Sequence, residues 1–153
     1  MLKSTPNRNE SYLGNINVKR DGVQHSFTEW EIKEYLKCSS DPVYFCKNYL
    51  KVISLDDGLV PFDLYPYQET MFDHFNNNRF SIVLACRQSG KSISSVGYIL
   101  WFAVFHSEKV IAVLANKGST AREMLGRVTL MLENLPHLPL VVLFVVCRLT
   151  YCS

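Results

Sequence analysis

The stretch Phe80–Ser92 reads FSIVLACRQSGKS. A short apolar run, Ile82-Val83-Leu84-Ala85, breaks into a polar loop that closes on Gly90-Lys91-Ser92, and a long apolar segment, Ile93–Phe105, follows. Strand, glycine-ended loop, lysine, hydroxyl, helix is the order that a phosphate-binding loop requires. A strand ending in a tight loop turns successive backbone N–H groups into one concavity. The next helix adds its free N-terminal N–H groups and the positive end of its dipole. Gly90 lets the backbone approach a phosphate with no side chain in the way. Lys91 would set a cation against the β- and γ-phosphates, and the Ser92 hydroxyl would be a ligand for the Mg²⁺ bridging them. The general pattern is GxxxxGK[ST]; here Ala85 stands at its first glycine, and the octet is ACRQSGKS. A bare Gly-Lys-Ser also occurs as a surface turn, so it is the flanking apolar runs that favour the nucleotide reading.

At 153 residues the chain is long enough for one domain with a core, and its 48% apolar and 20% charged content is that of a globular protein. A net charge of +2 is no electrostatic footprint for nucleic acid, although it leaves room for a local basic patch. The five cysteines, Cys38, Cys46, Cys86, Cys147 and Cys152, are odd in number and lack metal-type spacing. They read as reduced thiols of a cytosolic protein. The polar N-terminus carries no signal-peptide pattern, so the sequon Asn9-Glu10-Ser11 carries no meaning without secretion.

Residues 1–25 are polar, with Pro6, Gly14 and Gly22, and read as a flexible N-terminal arm. Thr28 with Glu31 makes a capping box for a helix to about Lys37, with Trp30, Ile32, Tyr35 and Leu36 as its apolar positions. Ser40-Asp41-Pro42 is a second start signal, for a helix Val43–Leu50 whose Tyr44, Phe45 and Tyr49 belong to the core. Val52–Leu64 reads as a turn-rich connector, and Asp56-Asp57 before Gly58 as a turn rather than a metal pair. Pro66 opens a helix to about Phe75, with Met71, Phe72 and Phe75 inward and Asn76-Asn77-Asn78 as its stop.

The helix Ser92–Phe105 is apolar on nearly every side and is expected to be buried on both flanks. Lys109–Ala115, KVIAVLA, reads as a second buried parallel strand, which makes Ile82–Leu114 one βαβ unit. The loop Asn116–Ser119 then lies at the carboxyl end of that strand, the edge where open α/β sheets bind ligands. Thr120 with Glu123 is expected to cap a further helix, ending at Pro136. Residues 136–153 change character: LPLVVLFVVC is apolar, and Arg148 is the tail's only formal charge. The run is too short to span a membrane, is plausible as a strand, and is an aggregation hazard if exposed.

The expected fold is therefore α/β: a partial P-loop NTPase three-layer sandwich with a parallel sheet, preceded by an N-terminal helical segment. Residues 26–135 would form the N-terminal part of the ATPase domain. Its sheet would be incomplete, because the strands flanking the first two are not in the chain.

Several segments together carry a resemblance to a known family: CRQSGKS, YPYQETMF, VLANKGSTAREML, DPVYFCKNYL and DGLVPFDLYPYQ. Over roughly residues 28–136 the chain resembles the large terminase subunit of tailed phages, of the myovirus type. In that family's variant Walker A loop, Arg-Gln precedes the last residues and the leading glycine is often missing. YPYQETMF is similar to its adenine-recognition motif, with Gln68 nineteen residues before Arg87. The resemblance implies a motor ATPase that drives double-stranded DNA into proheads, in the host-cell cytoplasm during virion assembly. ATP and Mg²⁺ are its cofactors; DNA, the small terminase subunit and the portal protein are its partners; no membrane is involved.

Site roles follow from the same resemblance. Tyr67, Gln68, Arg87, Gln88, Ser89, Gly90, Lys91 and Ser92 would bind the nucleotide. Gln68 would hydrogen-bond the adenine edge, since an amide offers both donor and acceptor, and Tyr67 would pack beside the base or join the core. Arg87 and Lys91 would be the catalytic cations, Arg87 reaching the γ-phosphate in cis. Ser92 would hold the metal. Asn116, Lys117 and Ser119 would face the same rim, as nucleotide sensors, DNA contacts or an ordinary loop.

The family's Walker B strand, which ends in Asp-Glu, and its nuclease domain have no counterpart here: no acidic residue follows Glu133. That acidic pair would hold Mg²⁺ through water and orient the attacking water. The chain alone would bind ATP weakly and turn it over little, and a separate C-terminal fragment supplying the acids would complete it. The tail is read as a frameshifted or early end of the frame, or as the first part of a split gene. A helicase-like ATPase fragment, a non-enzymatic module that binds terminase or motor subunits, and a gene remnant are the other readings.

Overall fold

Residues 11–12, 15–19, 27–54, 56–106 and 109–135 are described in the structure, a computed structural model. Among them the chain is mixed α/β. It has five helices, α1 (Glu29–Ser40), α2 (Pro42–Tyr49), α3 (Pro66–Asn77), α4 (Lys91–Phe105) and α5 (Gly118–Glu133). Two antiparallel pairs of strands accompany them: β1 (Ser11–Tyr12) with β2 (Asn15–Lys19), and β3 (Lys51–Ser54) with β4 (Gly58–Pro61). The expected arm is thus partly a β-pair, whose second strand passes close to α5. The rest of the arm and the tail 136–153 lie outside the described residues.

The helix starts follow from their caps. Thr28 Oγ1 accepts the Glu31 N–H at 3.3 Å while Glu31 Oε2 accepts the Thr28 N–H at 2.7 Å, a complete capping box for α1. Asp41 Oδ1 accepts the N–H groups of Val43 (2.9 Å) and Tyr44 (3.0 Å), and Pro42 occupies the first turn of α2. Pro66 opens α3, which stops at Asn77. One expected cap is wrong. α5 begins at Gly118 after Lys117, and the Thr120 N–H bonds the Lys117 carbonyl at 3.1 Å, so Thr120 lies inside the first turn instead of preceding it.

The expected connector Val52–Leu64 is instead largely a hairpin, with Lys51 opposite Pro61, Val52 opposite Val60 and Ser54 opposite Gly58. Its reversal falls at Asp56-Asp57-Gly58, where Ser54 Oγ accepts the N–H groups of Asp56 (3.3 Å) and Asp57 (3.4 Å). An Asp-Gly step between β-branched residues is a hairpin signal, so the turn at the two aspartates holds while the flanking chain is strand rather than loop.

α4 is the central element. It packs against α2 and α3 on one flank and against α5 on another. Val96, Leu100, Trp101 and Val104 join Phe45, Leu50, Phe62, Phe72 and Met131 in one core. Trp101 Nε1 donates to the Cys38 carbonyl across this core at 2.8 Å. Cys38, Cys46 and Cys86 are free thiols. Burial pushes the Cys38 thiol up to about 12 and raises that of Cys46 well above the usual range. Both therefore stay protonated, whereas Cys86 is exposed.

α1 is tied to α2 through Glu34, whose Oε1 accepts from the hydroxyls of Tyr49 (2.5 Å) and Tyr44 (2.8 Å). These two bonds, Tyr49 first, hold the Glu34 carboxyl below its ordinary value. A carboxylate shifted down in the folded state adds stability that is fully present above about pH 4.5 and is lost as pH falls through the lowered folded value. Glu34→Gln is expected to flatten the acid limb of the stability curve, read as urea midpoint against pH, while a Lys37→Gln control keeps most of the slope.

The two runs expected as parallel strands, Ile82–Ala85 and Lys109–Ala115, form no ladder, and the parallel sheet of the expected sandwich is not seen among the described residues. A strand exists through the neighbour it bonds to, and neither run has one there. Ile82 and Leu84 are each 100% exposed, Val110 99% and Leu114 93%. Their apolar sequence is that of buried strands; the backbone partners that would bury them are what the described residues lack. No helix among the described residues is long and apolar enough to cross a membrane.

Candidate functional site

The loop between the first apolar run and α4 is tightly closed. Ser89 Oγ donates to the Cys86 carbonyl at 3.0 Å, and Lys91 Nζ donates to the same oxygen at 3.0 Å. The ammonium therefore reaches back across the loop mouth, held by a neutral acceptor that an anion would outcompete. Gly90 is the N-cap of α4, with φ +78°. The first helical bond is donated by Ser94 N–H to the Gly90 carbonyl at 3.0 Å, so the amides of Lys91, Ser92 and Ile93 have no acceptor within the helix. Gln88 also has positive φ, +60°, in the left-handed region that non-glycine residues seldom adopt.

The start of α3 abuts this loop. The Tyr67 hydroxyl donates to the Ser89 carbonyl. Gln68 is only 2% exposed; its Oε1 accepts the Tyr65 N–H at 2.9 Å, fastening the first turn of α3. Its Nε2 faces Gly90: a Cβ at that position would lie 2.8 Å from Nε2 and 3.6 Å from the Tyr67 hydroxyl. Two constraints thus require glycine at position 90, its left-handed backbone and the close approach of Gln68.

Of the residues expected to bind nucleotide, Tyr67, Gln68, Ser89, Gly90 and Lys91 are brought together by these contacts. Arg87 and Gln88 form the exposed tip of the loop, and Ser92 is exposed in the first turn of α4. Asn116, Lys117 and Ser119 are exposed at the start of α5. The acceptor of the Gln68 amide is already engaged by Tyr65, a backbone role that the motif alone does not reveal.

Beside the loop is a cleft of about 480 Å³, within the range of small-molecule sites. Tyr67, Thr70, His74 and Asn78 line one wall at successive turns of α3; the chain from Phe80 to Ala85 forms the other, and Lys91 closes one end. Tyr65 stacks on Tyr67, with centroids 5.9 Å apart and planes within 10°. Sequence reading missed Tyr65, Thr70, His74 and Asn78; for the last three, the one-turn spacing that runs from Thr70 through His74 to the C-cap Asn78 was the available signal. No group of three or more His, Cys, Asp or Glu residues that could hold a metal ion stands among the described residues. A cation here would rely on Ser92 and on phosphate oxygens. No protein-family model matches the chain.

Proposed function

We propose that this chain binds Mg²⁺-ATP at the Cys86–Ser92 loop, as the N-terminal part of a viral DNA-packaging motor ATPase of the large-terminase type. The observation that carries the reading is the meeting of two separate sequence motifs. Tyr67 and Gln68 of α3 lie against Ser89 and Gly90, beside an ammonium that spans the loop mouth. The loop offers what a triphosphate requires: orphan amides at the start of α4, a glycine without Cβ, and a movable cation. The adjoining cleft has the volume for a purine and ribose, with the Tyr65–Tyr67 stack at its edge.

In this reading Lys91 leaves the Cys86 carbonyl for the β- and γ-phosphates, and Ser92 holds the magnesium ion. Arg87, on the exposed tip, reaches the γ-phosphate. The bound ion would neutralise charge developing on the phosphates during transfer. The fold reading that goes with it is part of a parallel-sheet P-loop sandwich, in which the segments ending at Ala85 and Ala115 are strands. The partners and setting are those of the resemblance: double-stranded DNA, small terminase and portal protein in the host cytoplasm. Hydrolysis by the chain alone is expected to be slow, because no carboxylate follows Glu133 to orient a water.

The test is ATP affinity by calorimetry for the wild type and Lys91→Ala. Charge-assisted hydrogen bonds contribute about 1.5–3 kcal/mol, so the variant is expected to bind about ten- to hundredfold more weakly. Equal affinity in the two proteins would overturn the phosphate-loop assignment.

A further inference from the structure

Gln68 is buried beside the cleft but does not line it. Its side chain is 2% exposed, and the cleft wall on that side is formed by Tyr67, Thr70, Met71, His74 and Asn78. Reading an adenine edge takes a donor and an acceptor together. The acceptor, Gln68 Oε1, already takes the Tyr65 N–H at 2.9 Å. Its Nε2 faces Gly90, where a Cβ would stand 2.8 Å from it. Turning the amide out to the cleft would strand the Tyr65 N–H at the helix start and leave a gap against Gly90.

Both ends of the amide instead tie α3 to the loop. Tyr67 and Gln68, adjacent in the first turn of α3, bear on adjacent loop residues. The Tyr67 hydroxyl donates to the Ser89 carbonyl, and Gln68 packs against Gly90. Gly90 is the N-cap of α4 at φ +78°, so its placement sets the direction of the Lys91, Ser92 and Ile93 amides. Holding those amides in place before a ligand arrives removes an ordering cost from binding.

We infer that Gln68 is a positioning residue: it holds Gly90, and through it the amides at the start of α4, in the orientation that a triphosphate needs, and takes no part in choosing the base. For its ligand the inference rests on the nucleotide reading; the clamp itself rests on contacts made without ligand. Gln68 therefore acts alike on every ligand that carries the polyphosphate, whatever base is attached.

Two measurements test it. In the ligand-free protein, Gln68→Ala is expected to shift the backbone amide resonances of Ser89, Gly90 and Lys91, while those of Val96 and Leu100, in the core face of α4, stay in place. Gln68→Glu keeps an acceptor for the Tyr65 N–H, as a capping box allows, and is expected to bring the loop resonances back toward the wild type. Calorimetry with Mg²⁺-ATP, Mg²⁺-GTP and inorganic tripolyphosphate then separates positioning from base reading. Gln68→Ala should weaken all three by the same factor, about tenfold, and keep the wild-type ratio of ATP to GTP affinity. Gln68→Met, which fills the space against Gly90 but has no amide, should show the same uniform loss in smaller measure, and takes the place of the alanine variant should that one not fold. A loss confined to ATP would overturn the inference, and so would loop resonances that Gln68→Ala leaves unmoved. Failure of the wild type to bind any of the three would overturn the nucleotide reading, whereas shifted loop resonances in the ligand-free variant would still uphold the clamp.

Discussion

Replacing Trp101 with alanine is expected to remove most of the stability of the chain. The indole is 3% exposed in the C-terminal half of α4. It lies 5.4 Å from the Tyr98 ring and 6.2 Å from that of Phe105, with His106 edge-on at 5.2 Å. Its N–H reaches the Cys38 carbonyl at the end of α1. Truncating a buried tryptophan costs about 3–5 kcal/mol. Stranding the carbonyl adds about 1–3 kcal/mol, against a total of about 5–15 kcal/mol for a domain. Urea unfolding should find Trp101→Ala at least half unfolded without denaturant. Trp101→Phe, which keeps a ring and loses the hydrogen bond, should remain folded with a lowered midpoint. A loss below about 1 kcal/mol for the alanine variant would contradict the central place given to α4, since that is the level of an ordinary surface change.

Gly90→Val is expected to cost both stability and nucleotide binding. A β-branched residue at φ +78° is a backbone outlier worth about 1–2 kcal/mol. Its Cβ would also stand 2.8 Å from Gln68 Nε2. Moving that buried amide breaks its bond to the Tyr65 N–H, for about 1–3 kcal/mol more, and shifts the start of α3 away from the loop. The expected result is a melting temperature lower by roughly 10 °C and ATP affinity reduced more than in Lys91→Ala. Gly90→Ala should show the same effects in smaller measure. Wild-type melting and affinity in Gly90→Val would show that Gln68 and the loop do not constrain each other.

The helix starts were legible in the sequence because their causes are local. Thr28 and Glu31 are three residues apart, as are the Asp41 carboxylate and the Tyr44 amide, and such contacts form before any tertiary structure. Thr120 failed as a cap because Lys117-Gly118 offered an earlier start, and propensity alone does not rank two adjacent starts. The hairpin at 51–61 was missed by weighting Asp56-Asp57-Gly58 as loop chemistry, when the residues pairing across it, Val52 and Val60, are β-formers. Ile82–Ala85 and Lys109–Ala115 show the opposite limit. Composition marks them as strand material, but a ladder is a property of two segments, and no sequence window contains both. The loop itself was legible as Gly-Lys-Ser after an apolar run. Its contact with Gln68, twenty-two residues earlier, followed from a resemblance rather than from spacing, and the Gln68–Tyr65 bond was legible from neither.

The central claim is that a triphosphate sits in the turn between Cys86 and Ser92, with the base toward α3. Titrating the full chain with Mg²⁺-ATP while following backbone amide resonances tests this at the atoms concerned. The account predicts that the largest shifts fall on Ser89 to Ile93, with smaller ones at Tyr67 and Gln68, and that AMP fails to reproduce those in the loop. Saturable ATP binding that leaves the amides of Gly90, Lys91 and Ser92 unmoved, or no binding at millimolar ATP, would contradict it.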